Sequence, residues 1–250
     1  MDDRDDNSGI EEIPTITKLL DPQYPLLVKF REAAPGSYKH SVSLASMVEG
    51  VSISLGLDVE LMKLCAVWHD LGKIFNPKYF AENQIEDEDP HRELDPKISY
   101  ELITRHVSDG VMLLINEPSF PRKAIETISR HHGNTVLRHF FNKSGKSVED
   151  LYRYKTERPK NINDAVLMIC DQIEAVSRSR IQAGTFDLTD VIDTTINYLI
   201  EDSQLDEVYL KLGDLKRLKT ALAKELEGSV QRRPDYDEVR KNVVDLKCNK

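Results

Sequence analysis

Seven residues of this chain, His40, His69, Asp70, His106, His131, His132 and Asp171, offer nitrogen and oxygen ligands suited to a first-row transition metal. Their placement carries the argument, because seven histidines in 250 residues is unremarkable. His40 precedes a helical pattern, His69-Asp70 closes the next, His106 ends another and His131-His132-Gly133 ends a fourth. Imidazoles at helix ends can converge on one point, although the helix macrodipole alone also favours histidine there. Asp171 lies in a helical stretch that is apolar nearly all round, with Ile162, Val166, Ile169, Ile173 and Val176 on one face and Leu167 and Cys170 on the other. A carboxylate there is expected to be buried, and a buried charge must be paired or bound to a metal. Two partners are open at this point: a metal ion, or an ordinary cation such as Arg178. Five histidines and two aspartates form a set that suits Fe, Mn or Zn, and one carboxylate could bridge two such ions.

The elements that must position these residues read as all-α. Leu44, Val48, Val51 and Leu55 follow a helical spacing behind Pro35-Gly36-Ser37, and Leu61, Leu64, Cys65 and Trp68 repeat it before Gly72. Further helices are expected over 97–106, 109–116, 122–132, 163–180, 188–200 and 213–227, the last capped by Gly228. No run alternates long enough to be a strand. Residues 76–96 and 142–161 read as two long loops within one domain, and loops of this length are often functional. The expected division is an acidic tail over 1–18, a domain over 19–236 and a C-terminal tail over 237–250.

Composition narrows the function further. Lys and Arg number 34 against 43 Asp and Glu, a net charge of −9, which is the wrong sign for a general phosphate-backbone surface and so excludes polymeric nucleic acid as a partner. The excess is local. Residues 1–12 carry net −5 and residues 82–95 net −6, which leaves +2 for everything else. The longest apolar run, Ala165 to Cys170, is far short of the ~20 residues a membrane helix needs. Cys65, Cys170 and Cys248 form no C-x-x-C pair, so neither a disulfide framework nor a thiolate metal site is expected.

His40, His69-Asp70 and Asp171 match the H…HD…D pattern of the HD-domain metal-dependent phosphohydrolases. His106 and His131-His132 match the extended pattern of the subgroup with a dinuclear centre. The chain most resembles the cytosolic HD domain of the PgpH-type seven-transmembrane HD proteins, which are cyclic di-AMP phosphodiesterases. The resemblance runs from about Leu20 to Tyr236 through Ala34-Pro35-Gly36-Ser37-Tyr38-Lys39-His40-Ser41, His69-Asp70-Leu71-Gly72-Lys73, Glu82-Asn83-Gln84, His106-Val107-Ser108-Asp109-Gly110, His131-His132-Gly133 and Asp202-Ser203-Gln204-Leu205-Asp206. Lys39 stands where that family usually has histidine. The resemblance implies an all-helical HD bundle in which His40, His69, Asp70 and Asp171 hold one metal and Asp70 bridges to a second held by His106, His131 and His132. It also implies Fe or Mn as the metal, and a cytoplasmic location, as a soluble protein or as the cytosolic domain of a membrane protein.

The activity so implied is hydrolysis of cyclic di-AMP to linear pApA by a metal-bridging hydroxide, with Asp70 the central catalytic residue and a cyclic dinucleotide the partner. Two metals roughly 3.5–4 Å apart suit this chemistry, because they activate a water and draw charge from the phosphoryl oxygens. Lys73, one turn beyond Asp70, could hold the scissile phosphate as a point charge or be a solvated lysine. Arg178 could reach a phosphate or pair with Glu174, and Asn83 and Gln84 could read an adenine edge or cap a turn. Tyr38, Tyr79, Phe80 and Phe140 could stack on a base or belong to the core, while His91 and His139 are expected not to be ligands. Four rivals remain. Cyclic di-GMP hydrolases of the HD type carry Gly-Tyr-Pro where this chain has Gly133-Asn134-Thr135. A single-metal nucleotidase would leave His106, His131 and His132 without a role. A di-iron HD oxygenase and a non-catalytic cyclic-dinucleotide sensor complete the set.

Overall fold

A computed structural model of the chain describes residues 15–84, 89–145 and 148–231. These residues form ten α-helices and four short 3₁₀ turns, with no strand beyond one antiparallel bridge between Val136 and Arg153. The helices are α1 (Ile16–Leu19), α2 (Pro25–Ala33), α3 (Pro35–Leu55), α4 (Val59–Trp68), α5 (Pro96–Ile115), α6 (Arg122–Ser129), α7 (Arg138–Lys143), α8 (Ile162–Gln182), α9 (Leu188–Glu201) and α10 (Leu212–Gln231). None is long and apolar enough to cross a membrane among the described residues.

The apolar stripes read from the sequence meet in one core. Leu44, Val48 and Val51 of α3, Leu64 and Trp68 of α4, and Val166, Ile169 and Ile173 of α8 are all fully buried there. Burying a side chain of this size contributes about 1.5–3 kcal/mol, so these three helices form the rigid frame. Trp68 is fixed by its indole N–H, which donates to the Leu19 carbonyl (3.1 Å), and by edge contacts with Tyr24 and Phe120. Proline opens α2, α3 and α5, where its missing N–H costs nothing. Asp58 caps α4 through the Leu61 N–H, and Asn161 caps α8 through the N–H groups of Asn163 and Asp164.

Several boundaries differ from the expectation. The stretches 97–106 and 109–116 are one helix, α5. Ser108-Asp109-Gly110 resembles a break, but Ser108 Oγ returns to the Arg105 carbonyl and Asp109 pairs with Arg105 one turn back. Gly110 sits inside the helix because the backbone at Gly72 packs against it. Likewise, Gly228 lies within α10 rather than capping it. Helix α6 stops at Ser129, so His131 and His132 sit in the following turn. The short helices α1, α2 and α7 were not expected, and α1 starts at Ile16, inside the stretch assigned to the tail. The two expected loops contain 3₁₀ turns at Pro77–Tyr79, Ala81–Asn83 and Glu149–Tyr152. Most of the acidic N-terminal tail and the whole C-terminal tail lie outside the described residues.

Candidate metal centre

Five pieces of chain bring the seven ligand candidates to one buried point. His40 comes from the second turn of α3, His69 and Asp70 from the end of α4, and His106 from the middle of α5. His131 and His132 come from the turn after α6, and Asp171 from α8. Two side-chain contacts fix the last two pieces together: Thr127 donates to Asp164 Oδ1 (2.7 Å) and Arg130 Nη1 meets Asp164 Oδ2 (3.3 Å). On the other side, a Cβ at Gly72 would overlap the His106 carbonyl, so only glycine lets the strand of chain after Asp70 lie against α5.

The ligand atoms fall into three overlapping trios, each with its atoms within 4.8 Å of one another: His40, His69 and Asp171; His69, Asp70 and His131; His106, His131 and His132. Asp70 stands between the outer two. Its Oδ2 lies 3.2 Å from His69 Nε2 and its Oδ1 lies 3.4 Å from His106 Nε2. Three of the histidines share one orienting device, in which Nδ1–H donates to the carbonyl three residues back: His69 to Ala66 (2.8 Å), His106 to Ile103 (2.6 Å) and His131 to Ile128 (2.6 Å). This bond turns each Nε2 toward the cluster, the arrangement that prepares a histidine as a ligand. His40 is held differently, with Nδ1 on Glu174 Oε2 (2.7 Å) and Nε2 on Asp171 Oδ1 (3.0 Å). The His132 ring lies against Tyr154, with centroids 4.4 Å apart.

The charge pattern divides the cluster into two halves. Burial works against charge on His40 and His69, yet hydrogen bonds to Asp171 and Glu174 push His40 up to about 9, and Asp70 and Asp171 push His69 up to about 10. In return the carboxyls of Asp70 and Asp171 stay well below the usual carboxylate range despite their burial, Asp70 through His69 and Lys73 and Asp171 through His40 and His69. Burial, reinforced by neighbouring imidazoles, pushes His131 down to about 3 and His132 far down. His106 is also lowered, by burial against the pull of Asp70. The second half therefore presents neutral imidazoles, the form that ligates metal.

Lys73 is not solvated. Its Nζ lies 2.6 Å from Asp70 Oδ2 and 2.8 Å from Glu82 Oε1, with 12% of the side chain exposed. Arg178 is half-buried and 3.5 Å from Glu174. Both ends of the Asn83 amide are used on the first turn of α3: Oδ1 accepts from the N–H groups of Gly36 and Ser37, and Nδ2 donates to Ser37 Oγ (2.8 Å). Gln84 follows it, half-exposed. Phe80 and Phe140 are buried, packed on His106 and His91 respectively, and Tyr38 lies against Phe30. His91 and His139 join none of the trios. No role was read from the sequence for Tyr154 or Glu82, nor for Glu174 as a partner of His40. Glu174 was legible in part, because it stands three residues after Asp171 on the same face of α8. Tyr154 lies in a stretch without periodicity and gave no signal.

The sequence model described as the HD domain matches residues 37–176, which contain every one of these seven residues. The chain belongs to the HD-domain family. Within it, the cyclic-di-AMP phosphodiesterase PgpH of Listeria monocytogenes is 31% identical over 232 residues, a match covering 91% of this chain and 32% of that protein. PgpH of Bacillus subtilis is 30% identical over 239 residues, covering 94% and 34%. The chain thus spans about a third of the length of these relatives. The crystal structure of the L. monocytogenes PgpH HD domain superposes with a TM-score of 0.78 at 31% identity, over 83% of this chain and 99% of that one. The same domain in complex with cyclic-di-AMP gives 0.77. The HD fold inferred from H…HD…D is therefore the fold observed.

Proposed function

We propose that this HD domain hydrolyses cyclic di-AMP to linear pApA with two divalent cations, Fe or Mn, as cofactors. The observation that carries the reading is the stance of Asp70, whose two oxygens address histidines of opposite halves at 3.2 and 3.4 Å. The donor set fits such ions on a second ground: His69 Nε2 and Asp70 Oδ1 are buried without a hydrogen-bond partner, which is costly unless a ligand completes them. His40, His69 and Asp171 would hold one ion, His106, His131 and His132 the other, and Asp70 both. Bound there, two divalent cations supply an activated water and neutralise charge on the phosphoryl oxygens.

The remaining work falls to side chains. Lys73 is assigned to the scissile phosphate as a point charge, held in place by Glu82. Arg178 and Gln84 are assigned to outer contacts with the dinucleotide, and Asn83 to fixing the turn that carries α3 toward His40. The similarity to proteins named as cyclic-di-AMP phosphodiesterases supports this substrate over cyclic di-GMP. Chromatography of cyclic di-AMP, cyclic di-GMP and pApA, each incubated with Mn²⁺-loaded and Fe²⁺-loaded protein, tests the proposal. Formation of pApA from cyclic di-AMP is expected. Preferential turnover of cyclic di-GMP, or tight cyclic di-AMP binding without product, would replace it with a rival.

A further inference from the structure

We infer that Gln204 is a positioning residue for the half of the centre built from His106, His131 and His132, acting through the turn that bears two of those histidines. This rests on reading that trio as the ligands of one ion. Gln204 belongs to Asp202-Ser203-Gln204, for which the proposed chemistry has no use. Asp202 ends α9 and Ser203 takes a left-handed φ of 57°, uncommon for a residue with a side chain. That turn sends the Gln204 side chain inward until none of it is exposed. A fully buried amide needs all its hydrogen bonds made, and here they converge on one place.

Gln204 Oε1 accepts from the Asn134 N–H (3.2 Å), while Nε2 faces Asn134 Oδ1 (2.8 Å), Asp202 Oδ2 (2.9 Å) and the Asp202 carbonyl (3.1 Å). The opposite amide orientation would set two donors against the Asn134 N–H and an acceptor against three oxygens, so the network admits one orientation. Glutamate cannot substitute, because it lacks the donors and would add charge beside Asp202. Arg153 closes the ring: it spans Asp202 (2.8 Å) and the Asn134 carbonyl (3.0 Å). Gly133 stands between His132 and Asn134 at φ +53°, and a Cβ there would run into Gln204 Oε1. The amide thus presses against the backbone directly after the two histidines and fixes where the turn lies.

The test uses the full chain stripped with chelator and titrated calorimetrically with Mn²⁺. His40→Ala and His131→Ala identify which binding class belongs to which half. With Gln204→Met, the class lost in His131→Ala is expected to weaken by roughly 10–100-fold, the range for losing an outer partner of a ligand, while the other stays within about twofold. Leu226→Ala, a truncation of a buried residue on α10, controls for lost stability and is expected to leave both classes unchanged. Should Gln204→Met fail to fold, Gln204→Glu keeps the acceptor for Asn134 and is expected to show the same selective loss. Two wild-type affinities in the variant, equal losses in both classes, or a loss matched by Leu226→Ala would overturn the inference. A wild-type protein that binds one ion overturns the two-ion reading itself, and the inference with it.

Discussion

Lys73→Met asks the most of the cluster with one substitution. The side chain keeps its length and loses its charge, leaving Asp70 (2% exposed) and Glu82 (11% exposed) as interior carboxylates whose shared cation is gone. Removing one partner of a buried ion pair costs about 3–5 kcal/mol, because the other charge stays desolvated. For a chain of this length each kcal/mol moves the melting temperature by about 2–4 °C, so the chelated variant is expected to melt roughly 6–20 °C below wild type. Thermal denaturation followed by circular dichroism in EDTA measures this. The second half of the experiment adds Mn²⁺. If Asp70 is a metal ligand, a divalent cation compensates the missing ammonium, and the variant gains more from Mn²⁺ than wild type does. A chelated variant within 2 °C of wild type would refute the buried Asp70, Lys73 and Glu82 cluster. Equal Mn²⁺ stabilisation of both proteins would refute Asp70 as the residue that meets the metal.

Three further outcomes are expected. Asp70→Asn should lower affinity at both metal classes by more than about 100-fold, beyond the loss for an outer partner, and should reduce pApA formation by about 10³-fold or more; elemental analysis with product chromatography reads both, and near-native values would refute the bridging assignment. Glu82 sets a pH dependence: burial pushes its carboxyl up, but Lys73 more than reverses this and brings it from 4.5 to about 2. Its contribution, up to about 3 kcal/mol, is therefore fully present above pH 4.5 and lost as pH falls toward 2. The urea-midpoint gap between wild type and Glu82→Gln should be widest at pH 7 and shrink by pH 3, and a constant gap would contradict it. Arg178→Ala should change stability by under ~1 kcal/mol, since the pair with Glu174 is long and a third of the side chain is exposed. A raised KM for cyclic di-AMP at unchanged kcat is the result expected of a substrate contact, and an unchanged KM removes Arg178 from the site.

The residues that converge in the cluster were legible because chemistry marked them. Asp171 interrupts an apolar helix, and His69-Asp70 and His131-His132 stand at helix ends, so type and position pointed the same way. The frame was legible for a related reason, since α3, α4 and α8 are long enough for their stripes to repeat. What was hidden lay where local signals conflict with tertiary ones. Gly110 reads as a helix break in sequence, but its purpose is to let another backbone approach, a fact that exists only once Gly72 is beside it. Helix α7, of six residues, is too short to display a period. Lys73 read as a solvated lysine or a phosphate contact, and its second carboxylate partner, Glu82, comes from a separate turn. Tyr154 and Gln204 act from segments whose own sequence says nothing about imidazoles.

The contact between Gly72 and Gly110 bears on what the centre can adjust to. Where side chains separate two segments, rotamers can shift and the gap between segments can breathe. Here backbone lies on backbone, so the offset between Asp70 and His106 is inherited from the covalent chain and the pitch of α5. Repacking the apolar core with residues of similar volume should leave that offset alone. By the same token the two segments cannot close any further, and the least separation of Asp70 from His106 is set by a seam that contains no side chain at all.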